Sequence, residues 1–231
     1  MIISHERKFI FIKTEKTAGT SIEIALSKYC GPRDIITPVS PEDEKIRASL
    51  GYLGPQNHRV PLRLWNFRQW RKACLRLQWP TFHSHSDART IRRFLGDTLW
   101  KDYFKFCFER NPWDKVISWY HWNCRNSNDR PQIDDFVKSQ QGKKVKGFDL
   151  YTIDNRVVVD SVYRFEDLNG AMADIAETIS LPEIPILPSA KTSQRKDRRP
   201  HYKVLSGESV DIIKRRYERE IAMLGYEWKQ K

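Results

Sequence analysis

The sequence predicts an α/β fold with three layers, a central parallel sheet and a P-loop-like turn after the first strand. Three observations carry this. Short runs of β-forming residues alternate with stretches of helical spacing. The runs at 8–13 and 103–108 are nearly continuous apolar, as buried parallel strands are. The first strand is followed by a loop of glycine, lysine and hydroxyls that opens a helix.

The elements follow in order. Lys8-Phe-Ile-Phe-Ile-Lys13 is the first strand and Thr14–Ser21 the loop. Ile22, Ala25, Leu26 and Tyr29 then share one helical face, and Gly31-Pro32 stops the helix. Residues 38–61, with their prolines, glycines and charges, read as irregular. From Leu62 to Trp79 a basic amphipathic segment puts Leu62, Trp65, Ala73, Cys74 and Leu77 on one face. A helix over 88–99 precedes the second strand, 103–108. Pro112 opens a helix that runs to Cys124, and 125–131 is a polar loop. A third strand over 157–165 leads into a helix over 167–180. Pro182, Pro185 and Pro188 forbid regular structure, 191–203 is a basic loop, and a last helix over 209–224 ends at Gly225.

With 231 residues the chain is read as a single domain, 1–231. A hydrophobic fraction of 39% and an aromatic fraction of 12% exclude a disordered chain. No apolar run approaches the roughly 20 residues of a membrane span, and Met1–Lys13 lacks the features of a signal peptide. Cys30, Cys74, Cys107 and Cys124 form neither a C-x-x-C pair nor a zinc spacing, and Cys107 reads as a buried thiol. The expectation is a cytoplasmic protein without stable membrane insertion; its oligomeric state is open. Lysine and arginine number 41 against 29 acids, a net charge of +12, which points to an anionic partner.

The Thr14–Ser21 loop sets Lys16, Gly19, Thr20 and Ser21 around a helix N-terminus, where free N–H groups and the helix dipole favour an anion. It departs from the P-loop spacing, because the lysine precedes the glycine and no acid is clearly placed to hold Mg²⁺. Arg110 leaves the end of the second strand, where a guanidinium suits a phosphate. Ser118 lies two turns along the next helix and by itself reads as an ordinary surface serine.

Together, Lys16-Thr-Ala-Gly-Thr-Ser21 and Arg110-Asn-Pro…Ser118 resemble the two nucleotide motifs of the sulfotransferases that use 3′-phosphoadenosine 5′-phosphosulfate, PAPS. The block Phe104–Asp114 is most similar to the carbohydrate branch that includes heparan sulfate 2-O-sulfotransferases and bacterial relatives; Val162–Leu168 and Leu224-Gly-Tyr226 look like it too. The resemblance implies that Lys16, Thr17, Ala18, Gly19, Thr20 and Ser21 hold the 5′-phosphosulfate, that Arg110 and Ser118 hold the 3′-phosphate, and that no metal is needed. Glu109 departs from the relatives, and strand alternation would turn it to the opposite face. A closing loop in the relatives puts Arg195 and Lys196 over the cofactor.

Sulfuryl transfer needs a base for the acceptor hydroxyl and a cation for the leaving phosphate. Lys16 is the cation. For the base, neutral imidazole suits proton abstraction near pH 7. His85 in Phe82-His-Ser-His-Ser-Asp87 matches the His-x-His element of the relatives, with His83 assisting. Against this, residue type alone favours His85 as the cap of the helix starting near Ala88, and Glu42 or Glu44 is the rival base. The resemblance implies a carbohydrate acceptor, an anionic one; the basic stretches 63–76, with interleaved Trp65, Trp70 and Trp79, and 191–199 are the candidates to hold it, the alternatives being tryptophans packed into the core and a solvated loop. Two other classes stay open: a P-loop-like small-molecule kinase, and a non-enzymatic binder of nucleic acid or heparin-like polymer. The leading expectation has no nucleic-acid partner.

Overall fold

A computed structural model describes residues 1–65, 67–76, 79–127, 129–139, 142, 145–188 and 204–228. In chain order the first elements are β1 (Ile2–Ser4), β2 (Phe9–Ile12), α1 (Gly19–Ser27), β3 (Ile35–Ile36) and α2 (Pro41–Ser49). A 3₁₀ turn at Leu62–Leu64 precedes α3 (Phe67–Arg76), α4 (Ala88–Leu95), α5 (Asp97–Asp102), β4 (Phe104–Glu109), α6 (Pro112–Asn123) and α7 (Ile133–Lys138). The rest comprises α8 (Phe148–Tyr151), β5 (Thr152–Ile153), β6 (Arg156–Val157), β7 (Ser161–Arg164), α9 (Leu168–Thr178), α10 (Gly207–Arg216) and α11 (Glu218–Leu224).

The main sheet has the order β3-β1-β2-β4-β7. β2, β4 and β7 are parallel, with Phe11 beside Phe106 and Phe106 beside Ser161. The sheet as a whole is mixed, not parallel throughout: β1 runs antiparallel to both β2 and β3. A tight turn from Ser4 to Phe9, with Lys8 at φ 52°, brings the chain straight back and reverses that strand.

Alternation along the strands separates two cores. Phe9, Phe11, Phe106 and Phe108 point to one face and pack with Ile22 and Leu26 of α1 and Met172 and Ile175 of α9. Ile10, Ile12 and Cys107 point to the other, against Ile91 of α4, Trp100 of α5 and Tyr151 of α8. Helices thus cover both faces of the sheet. A third cluster joins Trp113, Val116 and Ile117 of α6 to Val137 of α7, Ile213 of α10, and Tyr217 and Tyr226. Cys107 is fully buried, and that burial pushes its thiol pKa well up.

Further expectations change, and the strand expected over 157–165 is confined to Ser161–Arg164. The stretch 38–61 contains α2, capped by the Ser40 side chain, with Pro41 at its start and Glu42, Asp43 and Glu44 in its first turn. The helix expected over 88–99 breaks at Gly96, whose φ of 78° no continuing helix allows. The last helix is split at Tyr217 into α10 and α11, and Gly225 caps the second in the left-handed conformation. The 62–79 segment is not one helix, because Trp65 is extended between the 3₁₀ turn and α3. Among the described residues no helix is long and apolar enough to cross a membrane.

Candidate active site

Each of the three parallel strands delivers site residues from its carboxyl end. Lys13 to Ser21 follow β2, Arg110 follows β4, and Phe165 follows β7. All line one cleft of about 580 Å³, together with Ser118, His85 and Val39. The place is the crevice outside the strand ends where open α/β sheets bind ligands.

The first loop has an unusual backbone. Lys16 and Ala18 are left-handed, at φ 64° and 57°, and flank Thr17. Such alternation turns successive N–H groups inward and makes an anion-binding nest. Ala18 also starts α1, and no side chain caps that helix. Thr14 and Thr17 hold the loop in shape. Thr14 Oγ1 donates to the Phe108 carbonyl, so the 2.9 Å contact between the two hydroxyls is donated by Thr17. The Thr17 hydroxyl is therefore engaged inside the loop, and its backbone N–H is what it can offer a ligand. Ser21 Oγ has no such tie among the described residues and lines the cleft.

Gly19 serves its own framework. A Cβ there would come within 2.7 Å of Lys13 Cγ, so the glycine makes room for the lysine stem beneath the loop. Lys13 Nζ meets Glu23 Oε2 at 2.7 Å, and the Met1 amine meets Glu23 Oε1 at 3.1 Å, all buried. Burial pushes the Glu23 carboxyl upward, but the Met1 amine, Lys13 and Arg47 outweigh it and hold the pKa below the usual range.

Opposite the loop stand Arg110 and Ser118. Arg110 Nη1 donates to the Lys16 carbonyl at 3.4 Å, and its guanidinium lies 4.3 Å from the Phe165 ring centre. Lys16 Nζ lies 4.8 Å from the centre of the Trp122 ring. Trp119, Trp122 and Phe165 give the cleft an aromatic wall, which sequence reasoning missed. Its signature was available: Ser118, Trp119 and Trp122 recur at helical spacing along α6.

Glu109 does turn away from this cleft. It forms a buried 2.7 Å pair with Lys115. Gly147 packs directly on that pair, since a Cβ there would sit 2.5 Å from Glu109 Oε1. Glu166 ties the end of β4 to the chain terminus: it accepts from Asn111 N at 2.8 Å and from Tyr226 Oη at 2.9 Å.

His85 enters the cleft from the other side. Its Nδ1 lies 2.7 Å from the Lys13 carbonyl oxygen. A carbonyl only accepts, so Nδ1 carries the proton and Nε2 holds a lone pair. Burial depresses the His85 pKa to about 4, partly opposed by that hydrogen bond and reinforced by the Lys13 charge. His85 does not cap α4; Asp87 does, with Oδ1 accepting from Thr90 N at 2.9 Å. His83 stays outside the first cleft and, with His85, lines a second one of about 320 Å³.

The rival acids lie elsewhere. Glu42 is exposed on α2, and Glu44 accepts from Val39 N and pairs with buried Arg47 at 3.1 Å; neither lines the cleft. Arg195 and Lys196 lie outside the described residues. Trp65 stacks edge-on with Trp70 and Trp79 at 4.8 and 5.0 Å, and Trp65 and Trp79 both donate to the Val60 carbonyl. Trp65 is half-buried against the core, while Trp70 and Trp79 are exposed, and Phe67 and Leu75 are 82% and 76% exposed. Among the described residues no cluster of His, Cys, Asp or Glu could hold a metal ion.

Comparison with known proteins adds two findings. The model of the sulfotransferase family matches residues 1–227. An uncharacterized protein of Archaeoglobus fulgidus is 38% identical over 100 residues, covering 42% of this chain and 83% of that protein. No solved structure matches.

Proposed function

The chain belongs to the sulfotransferase family, and from that premise we propose that it moves a sulfuryl group from PAPS to a carbohydrate hydroxyl by direct in-line transfer. The observation that carries this reading is the meeting of three parts in one cleft: the Lys16–Ser21 loop, the Arg110–Ser118 pair and the His85 imidazole.

The residues fit such a donor. The nest at Lys16–Ala18 and the uncapped start of α1 suit the phosphosulfate end, with Gly19, Thr20 and Ser21 in the first turn. Arg110 and Ser118 suit the 3′-phosphate, and Trp119, Trp122 and Phe165 offer flat faces to the base. The donor supplies the sulfuryl group. His85 Nε2 takes the proton of the acceptor hydroxyl, whose oxygen bonds to sulfur as the bond from sulfur to the phosphate oxygen breaks. That oxygen leaves with the electron pair, and Lys16 and the loop N–H groups stabilise its charge. His83 lies beside the acceptor.

The likeness to the heparan sulfate 2-O branch favours a polysaccharide acceptor, an anionic one. The basic 63–76 stretch, with exposed Trp70 and nearby Trp79, suits sugar faces and acidic groups. A cytoplasmic location fits free Cys30, Cys74, Cys107 and Cys124.

Thermal shift tests the donor, and a sulfate-transfer assay over a panel of polysaccharides tests the reaction. Stabilisation by 3′,5′-adenosine bisphosphate without metal is expected. Stabilisation only by ATP with Mg²⁺ would replace this reading by a kinase.

A further inference from the structure

We propose that the second cleft is the acceptor site, and that it selects a hydroxyl compound carrying an acidic group bound between Arg93 and Lys146; this rests on the sulfotransferase reading. The cleft of about 320 Å³ shares His85 with the donor cleft. One imidazole thus stands in the wall between two spaces. A hydroxyl entering from the second cleft can reach the residue that also faces the donor loop.

Its charge is unbalanced. Arg93 and Lys146 line it, both exposed and neither in an ion pair among the described residues. The acid in the wall, Asp87, is committed to the helix: its two oxygens accept from Thr90 N at 2.9 Å and Thr90 Oγ1 at 3.0 Å. His85 is neutral above its depressed pKa. Arg93 and Lys146 outnumber Asp87 among the lining charges, and a concave site with that balance favours an anion. Arg93 also stands one helical step beyond Thr90 on α4, so its guanidinium is carried by a rigid element.

Lys146 is tied to the donor loop. Glu15 N donates to the Lys146 carbonyl at 3.1 Å, and Lys146 N donates to Glu15 Oε2 at 2.7 Å. The donor loop and this part of the acceptor wall are therefore held in fixed register. An acidic group gripped at Lys146 sets the distance of its neighbouring hydroxyl from the loop, which is how positioning lowers a bimolecular barrier. The selection thus lies at Arg93 and Lys146, within reach of the base, and not in the stretch 63–76 alone.

The test uses three tetrasaccharides: one with uronic acids, its carboxyl-reduced form, and a neutral one bearing a single sulfate ester. We expect the acidic forms to exceed the carboxyl-reduced form at least tenfold in kcat/KM, and the better acidic arm identifies carboxylate or sulfate as the bound group. Arg93→Ala and Lys146→Ala should each raise the acceptor KM about tenfold and erase that preference. Arg93→Lys and Lys146→Arg should keep it, and calorimetric affinity for 3′,5′-adenosine bisphosphate should stay unchanged in all four. Equal use of all three tetrasaccharides, or a preference that survives both alanine variants, overturns the acceptor site alone. Failure of the wild-type chain to bind the bisphosphate overturns the sulfotransferase reading and this inference with it.

Discussion

The His85 imidazole donates from Nδ1 to the backbone carbonyl of Lys13 over 2.7 Å. That one bond links the proposed base to the strand that leads into the proposed donor loop. It also fixes the tautomer, leaving Nε2 as the acceptor.

A pH prediction follows from the depressed pKa of about 4. An ordinary histidine protonates near 6.5, so activity through it would fall already between pH 7 and 6. Here the imidazole stays neutral across that range, and the acid limb of kcat/KM should lie below pH 6. A bound polyanionic donor favours the imidazolium, so the acid limb of kcat should lie higher than that of kcat/KM. His85→Ala should lower kcat by about 10²–10⁴-fold while leaving bisphosphate affinity intact. Near-wild-type turnover in that variant would remove His85 from the reaction.

Gly19→Ala separates two roles of the glycine. The added methyl would press on Lys13 Cγ at 2.7 Å, beneath the loop and beside the Lys13–Glu23 pair. Overpacking of this kind costs about 1–3 kcal/mol. We expect a lowered Tm even without ligand. A variant of unchanged stability but weak donor binding would show that the glycine serves only the ligand.

Glu109 and Lys115 are both about 1% exposed, 2.7 Å apart. Lys115→Met strands a buried carboxylate and should cost about 3–5 kcal/mol. The double variant Glu109→Leu with Lys115→Met should be less destabilised than Lys115→Met alone, since no unpaired charge remains. Urea denaturation of the three proteins checks the order.

How much of this was legible depended on length and periodicity. β2 and β4 showed in the sequence because Phe9–Ile12 and Phe104–Phe108 are strongly β-forming runs. β1 and β3 have three and two residues, too few to show alternation, so the antiparallel half of the sheet had no readable period. α2 buries only Asp43 and Arg47 and carries no apolar stripe, yet Ser40-Pro41 followed by three acids was a start signal in plain view. The loop residues, Arg110 and Ser118 could be read from motif alone. The second cleft could not, because Lys146 meets Glu15 across 131 positions and only the fold brings them together.

Arg110 and Ser118 give the last prediction. Arg110 leaves β4, stacks on Phe165 at 4.3 Å and reaches the Lys16 carbonyl, so its planar fork is oriented before any ligand arrives. Lysine has neither the fork nor the stacking plane. Arg110→Lys should therefore weaken 3′,5′-adenosine bisphosphate about as much as Arg110→Ala, by roughly 1.5–3 kcal/mol for a charged hydrogen-bonding partner. Ser118→Ala removes one neutral donor and should cost about 0.5–1.5 kcal/mol. The contrast lies in the ligand: 5′-AMP lacks the 3′-phosphate, so its affinity should be nearly the same in all four proteins. Calorimetry with both nucleotides reads this directly. Equal losses for the two nucleotides would mean that Arg110 supports the cleft as a whole and does not grip the 3′-phosphate.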